Sequence, residues 1–260
     1  MNETLKGIEN RKSTRNFAPT PIRPEERQAI LHASMRAPTA GNMMLYSIIE
    51  VEDQSIKEQL AESCDHQPFI AKAPMVLLFV ADYRRWIDFY DFCEVEKTCF
   101  EKGISPRKPA EGDLLLACCD ALIAAQTAVI AAESLGIGSC YIGDILEQAE
   151  FHRQLFSLPQ YTLPITLVVF GRPAVEKEEK RLTPRFPENT IVFKDHYRRA
   201  DRQDFLAMYQ PVAERQTPEL PLEDAVKAIG RNNYFRKFVA DFSAEMNRSA
   251  ADWIQNWKHG

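Results

Sequence analysis

The stretch Pro74 to Ala81 reads PMVLLFVA and is apolar from end to end. A strand with one wet face alternates apolar and polar side chains, whereas a strand covered on both faces is apolar throughout. A second run of this kind, LPITLVVF, extends from Leu163 to Phe170 and is followed by the sequence Gly-Arg-Pro. Because two such strands need helices on both faces of their sheet, the sequence predicts a layered core of helices and strands.

A third strand and several helices are predicted around these two runs. Ser47 to Glu52 is a short segment rich in strand-forming residues. The spacing of apolar residues predicts several helices. Proline and acidic residues favour a first helical turn, and glycine or proline favours a helix end. The predicted helices are the end of a short helix at Leu5 to Asn10, a helix from Pro24 that Pro38 stops, Ser55 to Cys64, and a long helix from Asp113 to Leu135.

Two segments lie outside this regular core. Asp82 to Pro109 is longer than an ordinary connection and holds many charged and aromatic residues, which predicts a mobile excursion or a partly helical lid. Ala174 to Arg185 is charged and irregular. Beyond Asp195 the pattern is helical and amphipathic, with Trp253 and Trp257 spaced to share one helix face. We therefore expect a core over residues 1–195 and a helical extension over residues 196–260.

The composition is that of a globular protein. Of the 260 residues, 45% are apolar and 27% are charged, which suffices for one sizeable core with an appendage. The formal net charge is -5 at pH 7. An anionic ligand must then be held by a local basic cluster, and nucleic acid is not favoured as a partner.

The most apolar stretch, Leu114 to Gly138, has the length of a membrane span, but Asp120, Gln126 and Glu133 interrupt it. Charges inside a bilayer are costly, so we interpret this stretch as a buried helix and expect no membrane contact. Residues 1–15 lack the apolar segment of a secretory signal, and the six cysteines show neither CxxC pairing nor a disulfide framework. Reduced thiols, no metal site and a cytoplasmic location are therefore expected.

The run RKSTR at residues 11–15 combines cationic donors with two hydroxyl groups. In an extended segment Arg11, Ser13 and Arg15 lie on one side. Guanidinium groups and a hydroxyl group that converge from one side suit a phosphate. A short basic cluster is also a common solvated turn, and composition by itself favours that interpretation.

Two loops contain small residues. Residues 37–42, APTAGN, follow a helix, and such side chains would let a flat ring approach the backbone while Asn42 offers an amide group. An ordinary helix-stopping loop explains these residues equally well. Residues 136–143, GIGSCYIG, superficially resemble a dinucleotide-binding turn. They are not one, because that turn follows a strand and opens a helix, whereas these glycines follow a helix and precede a polar segment.

In the right order, five segments resemble the nitroreductase and FMN-reductase family, and the resemblance covers nearly the whole chain. They are RKSTRNF at 11–17, APTAGNMM at 37–44, AAESLGIGSCYIG at 131–143, LPITLVVFGRP at 163–173 and TPRFPENTIVFKDHY at 183–197. The tail with DFSAEMNRS at 241–249 resembles the subgroup of larger, oxygen-insensitive NADPH nitroreductases and flavin reductases. The resemblance implies an α+β, nitroreductase-like fold with a mixed, mainly antiparallel central sheet flanked by helices. It also implies an intertwined homodimer in which the extension 196–260 packs on the partner subunit.

The same resemblance implies that the chain binds FMN non-covalently and uses NAD(P)H as co-substrate. The phosphate would be held by Arg11, Lys12, Ser13 and Arg15, with Arg185 approaching from the far end of the same subunit. The ribityl chain and ring would lie along Thr39, Ala40 and Gly41, with Asn42 coming from the partner subunit's side. Gln67 would touch the pyrimidine end, and the other edge of the ring would be passed by Tyr141, Ile142 and Gly143, with the Gly143 amide near N5.

The chain departs from the family pattern at two positions. Asp144 stands where relatives often have a second glycine, and Thr183 stands where they often have a lysine. Phosphate affinity or ring electronics are therefore expected to differ. Lys180 or Arg181 offers a replacement cation.

The expected activity is electron transfer from NAD(P)H through FMN to nitroaromatics, quinones or related small acceptors by a ping-pong mechanism. One alternative is an NAD(P)H:flavin reductase that delivers electrons to free flavin. Another is a non-catalytic flavin-binding or interaction protein, and the plainest is an α/β dimer without flavin. We assign no catalytic acid or base, because the histidines at 32, 66, 152, 196 and 259 have no carboxylate at a telling spacing and are expected at the surface, with His66 closest in sequence to Gln67.

Overall fold

The computed structural model describes residues 1–174 and 182–259, and the chain divides into two units. The first unit comprises residues 1–178 and 245–260, and the second comprises residues 179–244. The second unit thus contains most of the predicted extension 196–260, whose last residues belong to the first unit. Part of the irregular segment 174–185, with Lys180 and Arg181, lies outside the described residues.

The first unit consists of a sheet with helices against it. Its strands are β1 (Tyr46–Glu50), β2 (Met75–Asp82), β3 (Gly138–Ile142) and β4 (Thr162–Gly171). Its helices are α1 (Glu3–Asn10), α2 (Pro24–Met35), α3 (Gln54–Ser63), α4 (Phe69–Lys72), α5 (Arg84–Phe92), α6 (Val95–Glu101), α7 (Glu111–Ser134) and α8 (Ala149–Leu155), with short 3-10 turns at Ala40–Asn42 and Gly143–Leu146.

The second unit is helical in its described part. It contains a 3-10 turn at Glu188–Thr190, the helices α9 (Arg202–Gln216) and α10 (Leu222–Asn233), and a π-helical turn at Tyr234–Phe238. A last helix, α11 (Asp241–His259), begins in this unit and continues into the first. Within the second unit, Arg198 anchors α9 by donating to the Asp204 carboxylate at 2.5 Å, and this contact lowers the pKa of Asp204 to about 2.

In the described residues the sheet has the strand order β1-β2-β4-β3, and every neighbouring pair is antiparallel. The two predicted apolar strands are β2 and β4, which pair in the centre, with Met75 opposite Phe170. All eight residues of β2 are buried. The prediction of a strand covered on both faces is therefore confirmed.

Alternate residues of β2 enter two different apolar clusters. Val76, Leu78 and Val80 belong to one cluster, while Met75, Leu77 and Phe79 pack into the other. Helix α7 contributes six buried residues to the second cluster, Val129 and five alanines: Ala121, Ala124, Ala125, Ala128 and Ala132. Their small side chains let a long helix lie close to the sheet.

Helix α7 ends where the sequence predicts. Gly136 has φ 71, a conformation that a residue with a Cβ rarely adopts, and the Ile137 amide donates back to the carbonyl of Ala132 at 2.9 Å. This tight turn leads directly into β3. Strand β3 was not predicted, because the sequence indicated only glycines after a helix and before a polar segment.

Helix α7 is also the one described helix that is long and apolar enough to cross a membrane. Its sheet-facing side is buried, but its other side leaves large apolar residues exposed: Leu115, Leu116, Leu122, Ile123 and Ile130. The interpretation of this stretch as a buried helix therefore holds for one of its sides.

Residues 84–101 of the predicted excursion are largely helical, as α5 and α6, separated by Glu94 at φ 52. The partly helical prediction is confirmed. Trp86 on α5 donates its indole N–H to the carbonyl of Met43 at 2.8 Å, which ties this excursion to the small-residue loop.

The C-terminal part of α11 packs on the first unit of its own chain. Trp253 and Trp257 are fully buried and lie on one helix face, as predicted. Ser249 donates to the Leu146 carbonyl at 2.6 Å and accepts from the Ala149 amide at 2.9 Å. The Arg153 guanidinium lies 5.0 Å from the centre of the Trp253 ring. Residues 245–259 are therefore integral to this unit.

Candidate functional site

The basic run at residues 11–15 lies along the free edge of the sheet, beside β3. Ser13 forms a parallel bridge with Ser139, and the Thr14 amide donates to the Ser139 carbonyl at 2.9 Å. The approach requires glycine at 138, because a Cβ there would lie 2.2 Å from Thr14 Oγ1. The run is thus extended, the condition under which alternate residues share one side.

Three of the predicted phosphate-binding residues influence the same thiol, that of Cys140. Burial raises the pKa of Cys140, while the Arg15 charge, the nearby Ser13 side chain and the Arg11 charge oppose that rise. Burial likewise raises the pKa of Tyr141 to about 12, against the opposing charge of Arg11. The structure therefore brings Arg11, Ser13 and Arg15 together beside β3, near Cys140.

Arg11 carries a donor that needs a partner. Its Nη1 atom is buried and has no hydrogen-bond partner within residues 1–174 and 182–259. A buried guanidinium N–H without an acceptor costs the desolvation of a charged group. An anion at this position would remove that cost. Arg15 is exposed, and its guanidinium lies 5.9 Å from the centre of the Phe69 ring.

Gln67 meets the residue that follows Gly143. The Gln67 side-chain nitrogen donates to the Cys64 carbonyl and to a carboxylate oxygen of Asp144, both at 2.8 Å. Gly143 is exposed, and a Cβ added to it would meet nothing within 4 Å. The backbone at Gly143 is therefore open to a ligand. Gln67 lies beside it, because its side chain bonds the next residue, Asp144.

The small-residue loop is organised by a carboxylate on α7. The Thr39 hydroxyl donates to Asp120, whose other oxygen accepts from the Ala40 amide at 3.0 Å. The Met44 amide in turn donates to the Thr39 hydroxyl at 2.8 Å. The predicted ligand contacts of Thr39 and Ala40 stay a prediction, and the polar groups described here hold the loop together.

Gly41 and Asn42 are at the tip of this loop. Both are exposed, with φ 55 and φ 57. Sequence reasoning treated Asp120 only as an interruption of an apolar helix. No local sequence signal marks this role, because it depends on which loop the helix faces in the fold.

A buried carboxyl group was also missed. Glu147 is 5% exposed, and its Oε1 has no partner within the described ranges. Burial raises its pKa to about 7, with further contributions from the charges of Asp144, Asp65 and Glu245. Its protonated form is therefore favoured up to a higher pH than that of an exposed carboxyl group.

Four of the five histidines are exposed as expected, but the surface prediction is wrong for His152. That ring is fully buried, with Nε2 2.9 Å from the Ser63 hydroxyl and Nδ1 2.7 Å from the Glu147 carbonyl. Burial lowers its pKa, so the neutral ring is favoured. It joins α3 to α8 inside the core. His66 is exposed, with Nδ1 2.9 Å from Glu62.

The remaining predicted residues are less informative. Lys12 is half-buried and Ile142 is buried on β3. Arg185 belongs to the second unit, where it is exposed and donates to the Thr183 carbonyl at 3.4 Å, so its predicted contact with a phosphate stays a prediction. The six cysteines are free thiols, and the described residues contain no cluster of three or more His, Cys, Asp or Glu side chains suited to a metal.

Comparison with known proteins agrees with the motifs. The chain is 32% identical over 205 residues to an FMN reductase [NAD(P)H] of Bacillus subtilis, covering 77% of each chain. It is 29% identical over 209 residues to the oxygen-insensitive NADPH nitroreductase of Salmonella typhimurium, covering 80% of each. Among solved structures, NADPH:FMN oxidoreductase from Vibrio harveyi complexed with NAD+ has the same fold, with a TM-score of 0.78, 22% identity and coverage of 97% of this chain and 98% of that one.

The family model described as "Nitroreductase family" matches residues 8–172, more than half of the chain and all four strands of the sheet. The match begins just before the basic run and ends at Arg172. This chain belongs to the nitroreductase family.

Proposed function

We propose that this protein is an FMN-dependent oxidoreductase that takes electrons from NAD(P)H and passes them to nitroaromatics, quinones or related small acceptors in a ping-pong reaction. The observation that carries the proposal is the buried Nη1 of Arg11, which has no partner in the described chain and lies with Ser13 and Arg15 beside β3. The names of the relatives, an FMN reductase and an NADPH nitroreductase, support the same cofactor and electron donor.

The basic run would hold the phosphate group of FMN. Two guanidinium groups offer planar pairs of donors, and the Ser13 hydroxyl adds a further hydrogen bond. Lys12 would contribute charge. Because the net charge of the chain is -5, this local cluster and not the overall field must attract the anion.

The ring system would lie between Gln67 and the end of β3. Gly143 is open on its Cα side, so a flat ring can approach the backbone there without meeting a side chain. Tyr141 and Ile142 precede it on β3. We propose that the Gly143 amide faces the hydride-accepting end of the ring, with Gln67 at the pyrimidine end.

The cofactor, when bound, supplies the redox chemistry, since a flavin takes up a hydride equivalent from a nicotinamide and passes electrons onward. The chain itself binds and orients the cofactor. The phosphate anchor at residues 11–15 fixes one end of the ligand, and backbone and amide groups position the other. One open face then serves NAD(P)H first and the acceptor afterwards, as a ping-pong order requires.

We further propose a homodimer. Leu115 and Leu116 on the outer side of α7 are 66% and 50% exposed, and several large apolar side chains exposed along one side of a helix are typical of an interaction surface. A second copy that covers α7 would also supply Asn42 from its side, as the family resemblance implies. The wrapping of a partner by the extension and a cytoplasmic location remain parts of this proposal.

The test uses the visible spectrum of the purified protein. We expect a flavin absorption band that bleaches when NADPH or NADH is added without oxygen, and that returns when a quinone or nitroaromatic is added. Protein that stays colourless after incubation with FMN would refute cofactor binding. If FMN binds but neither NADPH nor NADH bleaches it, the protein binds flavin without having this activity.

A second candidate, an NAD(P)H:flavin reductase, is favoured by the relative named FMN reductase. The two candidates differ in the acceptor. Steady-state rates with free FMN, a nitroaromatic and a quinone, each at a series of concentrations, separate them through kcat/KM. A higher kcat/KM for free FMN would assign the flavin reductase activity.

A further inference from the structure

The side-chain amide of Gln67 is held in one orientation. Its nitrogen donates to two acceptors, the Cys64 carbonyl and the Asp144 carboxylate. An amide nitrogen has two N–H groups, so both are used. If the amide were reversed, its oxygen would face two other oxygens, and both hydrogen bonds would be lost. Because both partners are acceptors, the nitrogen of the Gln67 amide must face them and its oxygen must point away.

The free end of Gln67 is an acceptor. No donor of residues 1–174 and 182–259 bonds to Gln67 Oε1, and the side chain is only half-buried. A ligand at this position meets an oxygen and must offer an N–H or O–H group. The pyrimidine edge of an isoalloxazine has two carbonyl oxygens and a single N–H, at N3.

We propose that Asp144 is a positioning residue that locks the Gln67 amide, so that the free oxygen of Gln67 accepts a hydrogen bond from the N3–H of the flavin and its nitrogen is not available to the flanking carbonyl groups. The inference rests on the proposed function. It concerns a residue at which this chain departs from relatives that have glycine. With glycine at 144 the amide would keep one partner, the Cys64 carbonyl, and would be free to rotate.

The location of Asp144 suits this role. It lies in the 3-10 turn Gly143–Leu146, directly after the open glycine, and its backbone carbonyl accepts from the Glu147 amide at 3.0 Å. The turn holds the carboxylate in place. Gln67 is held by its own backbone as well, since its amide donates to the Ala61 carbonyl at 2.7 Å. Both ends of the contact are therefore anchored.

The experiment compares Asp144→Asn with Asp144→Ala. Asparagine keeps an acceptor oxygen for Gln67 but removes the charge, whereas alanine removes both. Asp65→Asn is the matched control, because it removes the charge of a neighbouring carboxylate that does not bond Gln67 and keeps a side chain that tolerates the backbone at φ 59. For each variant FMN affinity is measured by fluorescence quenching, and the N3–H resonance of bound 15N-labelled FMN is recorded by NMR.

We expect Asp144→Asn and Asp65→Asn to bind FMN within about twofold of the parent and to keep the parent N3–H shift. Asp144→Ala should bind FMN about fivefold or more weakly, with a displaced or exchange-broadened N3–H signal, because an unlocked amide no longer accepts well. Asp144→Gly, the residue of many relatives, should behave like Asp144→Ala and guards against misfolding of a single variant.

Two results would overturn the inference. One is an unchanged affinity and N3–H signal in both Asp144→Ala and Asp144→Gly. The other is an equal change in Asp144→Asn and Asp144→Ala, which would assign the effect to charge. Failure of the proposed function is distinct, since the parent protein itself would then bind no FMN or would not be reduced by NAD(P)H.

Discussion

Arg15 tests the phosphate anchor at the scale of one residue. It is exposed and lies over the Phe69 ring. Like Arg11 and Ser13, it lowers the pKa of the Cys140 thiol, against the effect of burial. Arg15→Ala should weaken FMN binding by about 1.5 to 3 kcal/mol, the range for a hydrogen bond to a charged group. Titration calorimetry with FMN measures the loss. Arg36→Ala, at an exposed arginine after α2, is the control, and an unchanged affinity in Arg15→Ala would remove Arg15 from the site.

Glu147 makes stability depend on pH. Its pKa in the folded chain is about 7, above the ordinary value near 4.5, so the folded state holds a proton that the unfolded state releases between these values. Stability should therefore fall as pH rises from about 4.5 to 7, and the cost is fully present above 7. Below about 4.5 both states are protonated and the cost disappears.

Glu147→Gln should accordingly stabilise the protein at pH 8 by about 1 to 3 kcal/mol and have little effect at pH 4.5. Urea unfolding at the two pH values measures the difference. The neighbours that oppose ionisation are Asp144, Asp65 and Glu245. A substitution effect that is equal at both pH values would contradict a titrating Glu147.

Residue-scale properties were the least accessible to sequence reasoning. The run at 11–15 could be recognised, because alternation in an extended segment follows from backbone geometry alone. The pairing of Asp120 with Thr39 and the burial of Glu147 and His152 could not. Each depends on a contact between residues far apart in the chain, and local composition carries no trace of such a contact.

At the scale of elements, the close approach of the basic run to β3 is the contact that builds the site. Gly138→Ala would place a Cβ 2.2 Å from Thr14 Oγ1 and 2.8 Å from Thr14 Cβ. The two segments must then separate, which should cost about 1 to 3 kcal/mol of stability. FMN affinity should fall with it, because Ser13 and Arg15 follow the displaced backbone.

A double mutant separates this clash from other effects of alanine. Adding Thr14→Gly to Gly138→Ala removes the clashing atoms and should recover part of the loss in FMN affinity. Gly7→Ala in α1 is the matched control, since its added Cβ meets nothing within 4 Å. If Gly138→Ala and Gly7→Ala have the same effect on FMN affinity, the close approach is not what positions the basic run.

Elements with a strong apolar pattern were predicted well. The runs at Pro74 and Leu163 became β2 and β4, and the pattern from Asp113 became α7. Strand β3 was missed because glycine and serine at its start favour loops. Its strand conformation comes from pairing with β4 and from the basic run beside it, which are contacts with distant parts of the chain.

For the whole molecule, the central prediction is dimerisation through the outer side of α7. Leu116→Glu or Leu122→Glu would place a charge on that apolar side, where a buried charge without a partner is costly. Sedimentation velocity should show a dimer for the parent protein and a monomer for these variants. Phe100→Glu, at an exposed aromatic of α6, is the control. A monomeric parent with bound FMN would refute the interface.

The sequence by itself determined the layered architecture and the family. A strand apolar throughout must be covered on both faces, a helical period must bury one side, and five motifs in order cannot easily arise in an unrelated chain. These are properties of single segments, and they do not depend on how the rest of the chain is arranged.

Only the tertiary structure decided how the site is assembled. It joined Gln67 to Asp144, left Arg11 Nη1 buried without an acceptor in the described chain, and placed Glu147 where its ionisation is unfavourable. Hydrogen bonding and desolvation depend on which groups meet in space and how much water remains between them. That information resides in the packing of distant segments, because no single stretch of residues specifies its own surroundings.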